Sequence, residues 1–149
     1  MADLQTPSET VITVWARLLR AQRKALGGVE ADLKAAGFPP LGWYDALLEL
    51  RKAGEDGLRP LQLEAQLLLE QHNISRLVDR LVEAGYVERQ PCATDRRGYM
   101  LALTEAGADL LRRMWPVYRA AIQRHVGGKL ASEAEAETLA RLLETLMRE

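Results

Sequence analysis

EQHNISRLVDRLVEAGYVERQPCATDRRGYMLAL, residues 70–103, decides how this chain folds. Its apolar residues Ile74, Leu77, Val78, Leu81 and Val82 recur at the spacing of a helix with one buried face. Asn73, Arg76, Asp79, Arg80 and Glu83 fall on the other side. Gly85 follows the last periodic residue, where a left-handed helix end is favoured. Tyr86-Val87-Glu88-Arg89 then alternates as a half-buried strand does. Tyr99 to Leu103 is a second short apolar run. Between them, Gln90 to Gly98 has the proline, aspartate and glycine of a hairpin loop. The spacing predicts a helix over about 71–84 and a hairpin over about 86–103. Helix, strand, arginine loop, strand is the layout of a winged helix.

Working outward, Pro60 suits the first turn of a helix running to about Leu67 or Leu68. A short turn leads from there to Gln71, and two helices so joined make a helix-turn-helix. Leu41 to Ala53 reads as a further helix, closed by Gly54 and a Glu55-Asp56-Gly57 turn. Residues 9–36 have helical spacing, with Gly27-Gly28 expected to weaken or bend the rod. Thr104 is a plausible cap for a helix to about Val126, kinked at Pro116 and stopped by Gly127-Gly128. Ser132 and Glu135 form a capping box before a last helix striped with Leu139, Leu142, Leu143, Leu146 and Met147. The expected class is mainly α with a small antiparallel β-hairpin (α+β), in one domain over residues 1–149.

The face opposite the predicted core stripe suits base edges. Arginine can grip guanine with two hydrogen bonds, and asparagine or glutamine can do the same to adenine. The candidate readers are Gln71, His72, Asn73, Ser75, Arg76 and Arg80. On the hairpin, Thr94, Arg96 and Arg97 would meet phosphates or the minor groove, and Asp95 reads as an internal brace for an arginine. The chain has a net charge of −1, which argues against a non-specific nucleic-acid coat. Residues 71–97 carry Arg76, Arg80, Arg89, Arg96 and Arg97 against Asp79, Glu83, Glu88 and Asp95, a surplus of one. So small a surplus calls for two such surfaces acting together. The competing reading is a winged helix that contacts protein and no DNA.

Three blocks in this stretch resemble a known family: Arg76-Leu77-Val78-Asp79-Arg80-Leu81, Asp95-Arg96-Arg97 and Leu103-Thr104-Glu105-Ala106-Gly107. With Leu58-Arg59, Leu61, Leu63, Leu67, Gly85, Val87-Glu88-Arg89 and Pro91 they are collinear with the multiple-antibiotic-resistance regulator (MarR) family across about 50 residues. The resemblance implies a winged helix-turn-helix over 41–103 and a helical dimerisation lobe built from 9–36 and 104–149. It implies a homodimeric transcription regulator, most often a repressor, on double-stranded DNA with a pseudo-palindromic operator. It also implies release by a small aromatic or phenolic effector. By the same analogy Trp15, Trp43, Tyr44, Trp115 and Tyr118 would line the effector pocket, with Arg17 or His125 meeting a ligand carboxylate. Two positions depart from the family pattern. Glu70 stands where serine often precedes the recognition helix, and Ala93 where the wing often has proline.

No GxGxxG, GxxxxGK or GxSxG motif occurs, and no nucleophile stands with a base, so an enzyme is not expected. Two histidines and one cysteine, scattered, make no metal site, and no cofactor is implied. Cys92 falls in the expected wing and offers a redox switch as an alternative mode of regulation, its thiol lowered by Arg89, Arg96 or Arg97. A single cysteine, no signal-peptide shape and no long apolar run predict a cytoplasmic protein without membrane contact.

Overall fold

The computed structural model describes residues 5–92 and 95–149, and only the backbone of Asp95, Arg96 and Arg97. Six helices and one hairpin follow in the order α1 Glu9–Ala35, α2 Leu41–Ala53, α3 Pro60–Gln66, α4 Ile74–Glu83, β1 Val87–Cys92, β2 Asp95–Leu103, α5 Glu105–His125 and α6 Glu133–Leu146. They divide into two compact units, Leu33–Tyr118 and Met1–Asp32 with Arg119–Glu149.

Leu33–Tyr118 has a closed core. Leu33, Leu47, Leu50, Leu63, Val78, Leu81, Leu101, Leu110, Leu111 and Met114 are all less than 2% exposed. Each comes from the apolar stripe of its own element, so one core collects residues of α1, α2, α3, α4, α5 and the hairpin. Gly57 has φ 68°, and a side chain there would strike the Leu101 carbonyl. Only glycine tolerates both conditions. The close approach lets Leu58 join the hairpin as a one-residue third strand. Leu58 N donates to Leu101 O at 3.0 Å and Leu101 N to Leu58 O at 2.7 Å. A single bridging residue leaves no period in the sequence, and this pairing was not foreseen.

The hairpin is longer than its turn residues implied. β1 and β2 pair from Val87↔Leu103 to Pro91↔Tyr99, and then Cys92↔Asp95. Between the last two pairs β2 carries Arg96, Arg97 and Gly98 with no residue opposite them on β1. The arginines thus sit in a bulge within a strand, a device that bends the ribbon locally, rather than in the open loop expected over 90–98.

Thr104 and Gly107 lock α5 to the end of α4. The Thr104 hydroxyl accepts from Gly107 N at 3.1 Å and donates to Gly85 O at 2.7 Å. Thr104 N donates to Tyr86 O at 3.1 Å. A side chain at Gly107 would collide with that same Tyr86 carbonyl. The Leu-Thr-Glu-Ala-Gly block is therefore a helix cap and a contact point in one.

In the other unit α1 runs unbroken through Gly27-Gly28 and does not stop there. Gly28 meets the His125 ring of α5, which occupies the space a side chain would need. Asp32 binds the same histidine, Oδ2 to Nε2 at 3.0 Å, and Arg124 at 3.3 Å. α5 likewise continues through Pro116. Beyond the Gly127–Lys129 turn, Ser132 caps α6 by accepting from Glu135 N at 3.2 Å. The apolar residues of this unit are mostly uncovered. Val11, Ile12, Val14, Trp15, Leu19, Leu139, Leu142, Leu143, Leu146 and Met147 are all exposed, and α6 buries none of its residues.

Candidate nucleic-acid interface

α4 begins at Ile74, three residues later than expected, because Asn73 caps it. Asn73 Oδ1 accepts from Arg76 N at 3.0 Å. The short asparagine amide reaches the free N–H groups of a first turn, and asparagine ranks among the best caps. Glu70 is consequently not at the cap. Gln71 and His72 precede the helix, and Gln71 is half-buried with its amide nitrogen against Gly42 of α2. Asn73 Oδ1 thereby spends one of its two lone pairs on the cap.

Ser75, Arg76, Asp79 and Arg80 are exposed, while Leu77, Val78 and Leu81 face the core. The face expected from the 3.6-residue period is therefore presented to solvent with both arginines on it. It is joined to the hairpin by a contact that the sequence did not reveal. Arg89 of β1 pairs with Asp79 of α4, and its guanidinium lies 5.3 Å from the centre of the Tyr99 ring on β2. The Tyr99 hydroxyl and then Asp79 raise the Arg89 pKa further, against slight burial. The pair crosses from helix to wing at the surface, where an exposed ion pair adds little by itself. Thr94 lies outside the described residues, as do the side chains of Asp95, Arg96 and Arg97. Cys92 is half-buried at the end of β1 and receives Arg59 Nη2 at 3.2 Å.

The candidate effector residues divide. Tyr44, Trp115 and Tyr118 come together. Tyr44 stands edge-on to Tyr118 at 4.9 Å between ring centres, and Trp115 lies 6.5 Å from Tyr44 and 5.9 Å from Tyr118. Trp43 turns instead to Tyr86, at 6.0 Å. Trp15, Arg17 and His125 belong to the other unit, where Trp15 is exposed and His125 is held by Asp32. Beside the cluster are two hollows. One, of about 380 Å³, is lined by Tyr44, Leu48, Arg51, Leu111, Arg112 and Trp115. The other, of about 130 Å³, is lined by Leu41, Tyr44, Asp45, Leu48, Leu68, Leu69 and Tyr118. Asp45 was not among the sequence candidates; a lone aspartate in a helix carries no signal that it will be buried.

A family model described as MarR family matches residues 36–98, the stretch that holds α2 to the wing. The chain belongs to the MarR family. The transcriptional repressor MprA of Escherichia coli (strain K12) is 32% identical over 98 residues, 66% of this chain and 55% of that protein. The match thus spans little more than half the length of that relative. AbsC, a MarR family transcriptional regulator from Streptomyces coelicolor, is 28% identical, with a TM-score of 0.76 over 95% of this chain and 97% of AbsC. Sco3205 from the same organism, solved in complex with DNA, shares the fold at a TM-score of 0.83 and 23% identity, over 95% of this chain and 92% of its own. The family is one of transcription regulators, not enzymes. No helix among the described residues is long and apolar enough to cross a membrane.

Proposed function

We propose that this protein is a homodimeric repressor that binds a pseudo-palindromic DNA operator and is released by a small aromatic ligand. The observation that carries the DNA reading is the exposed face of α4. It sets Ser75, Arg76 and Arg80 on a rod of groove size beside a hairpin that meets it through the Arg89–Asp79 pair. Arg76 is the main base reader, Ser75 and Arg80 touch base or phosphate, and His72 stands at the helix entrance. Thr94, Arg96 and Arg97 serve the wing. The dimer reading is supported by the leucine stripe of α6 and the exposed apolar face of α1, too much uncovered surface for a lone chain. Two-fold pairing would offer two recognition helices to successive major grooves, roughly 34 Å apart. The Tyr44–Trp115–Tyr118 cluster supports an aromatic effector.

Selection of bound sequences from random DNA, followed by titration with Arg76→Ala, tests this. Operator preference should fall by about 1–3 kcal/mol, the worth of a two-bond contact to a base. Affinity of the unaltered protein should drop by roughly 0.9 log units per log unit of salt for each phosphate contact. A response flat in salt, or an equal loss on random and selected DNA, would refute the assignment.

A further inference from the structure

His72, Asn73, Ser75 and Arg76 are exposed at the entrance of α4. Among these, in the described residues, only Asn73 has its side chain held, by the bond from Arg76 N to its Oδ1 at 3.0 Å. That bond fixes which arm of the amide is which. A backbone N–H can only donate, so the arm against the helix is the oxygen and the other is the NH2. No acceptor among the described residues meets that NH2. The neighbouring side chains are adaptable: a serine hydroxyl turns to donate or to accept, and arginine has a long stem. Asn73 presents a set polarity, two donors at a set place. A side chain already fixed loses little freedom on binding. Its place is the N-terminal end of the second helix of a helix-turn-helix, the end whose residues contact base edges.

We infer that Asn73 caps α4 and selects bases with one and the same side chain, its NH2 requiring an acceptor on the base it faces and rejecting cytosine. In the major groove guanine offers O6 and N7, adenine N7 and thymine O4 as acceptors, whereas cytosine offers only its N4 amino group, a donor. Donor against donor leaves two polar groups unpaired once water is excluded, and an unpaired buried donor is costly. The second lone pair of Oδ1 stays open to the N6 amino group of adenine, so adenine is not penalised. The base concerned adjoins the one that Arg76 reads, because the cap ties Asn73 to the Arg76 backbone. Helix start and base choice thus meet in one residue. The base preference rests on the proposed DNA binding; the fixed amide rests on the cap alone.

Asparagine, aspartate and serine cap almost equally well and alanine does not, so cap and readout can be separated. Full-length Asn73→Ser, Asn73→Asp and Asn73→Ala are melted, then competed on the operator selected from random DNA, with each base placed in turn at each position. The unaltered protein should disfavour cytosine about tenfold at a position beside the one that Arg76→Ala relaxes, within the range of a base contact. Asn73→Ser should melt with the unaltered protein and lose that preference, other positions unchanged. Asn73→Asp should melt no lower and prefer cytosine there, since a carboxylate accepts from N4. Asn73→Ala should lose the preference and melt lower. Cytosine accepted as well as the other bases by the unaltered protein would overturn the inference. So would Asn73→Ser weakening every sequence alike, the mark of a phosphate contact. So would Asn73→Ala melting as high as Asn73→Ser, since no cap would then hold the amide. Should Asn73→Asp bind too weakly for its bases to be ranked, Asn73→Ser decides. A protein that selects an operator yet shows no such preference keeps its DNA binding and loses Asn73 as a reader; one that selects no sequence loses both.

Discussion

Leu33–Tyr118 closes on itself, whereas the unit of Met1–Asp32 and Arg119–Glu149 leaves its best apolar residues in water. Both are written with the same alphabet of leucine-striped helices. In the first, α2, α3, α4, the start of α5 and the hairpin supply facing stripes. In the second, Val29 and Ala121 are the buried apolar residues among those described, while Leu139, Leu142, Leu143 and Leu146 remain exposed. A stripe announces that a helix will be covered, without saying by which chain. The first unit is a closed body, and the second leaves an apolar face uncovered.

The contrast can be broken at its strongest point by charging the open stripe. Leu142→Asp with Leu146→Asp should turn a dimer into a monomer, seen by light scattering. Operator affinity should fall by two orders of magnitude or so, because paired half-sites no longer act together. A stable dimer after both changes would show that α6 completes nothing. At the closed end, Leu81→Ala should cost about 2–5 kcal/mol in urea unfolding, as for other fully buried leucines. A cost below about 1 kcal/mol would mean the core is looser than its burial implies. The smallest expected effect is at the joint between α4 and α5. Thr104→Ala removes both the cap to Gly107 and the bond to Gly85, and should cost about 1–2 kcal/mol of thermal stability. No measurable change would mean that water replaces both bonds.

The helices and hairpin of the Leu33–Tyr118 unit were legible because each carries its own period and its own punctuation. The stripe from Ile74 to Val82, the Gly85 turn with φ 85°, and Pro60 in the first turn of α3 are local signals, and local backbone physics acts on them directly. Boundaries slipped where two capping residues competed, as Asn73 displaced the start expected near Gln71. Gly27-Gly28 was misread as a weak point because the reason for Gly28 is the His125 ring, distant in sequence. The aromatic cluster was half legible. The family resemblance singled out five aromatic residues, and packing brought Tyr44, Trp115 and Tyr118 together.

The amino-acid order alone determined which helices and hairpin form, the solvent-facing arginines of α4 and the kinship blocks, since each depends on neighbours within a few residues. Only the tertiary structure decided that Leu58 would pair with Leu101, that Arg89 would reach Asp79 and Tyr99, and that Asp45 would be sealed with one oxygen idle. Those contacts join residues 10 or more apart along the chain. Their energies depend on burial and distance, which exist only once the elements have packed.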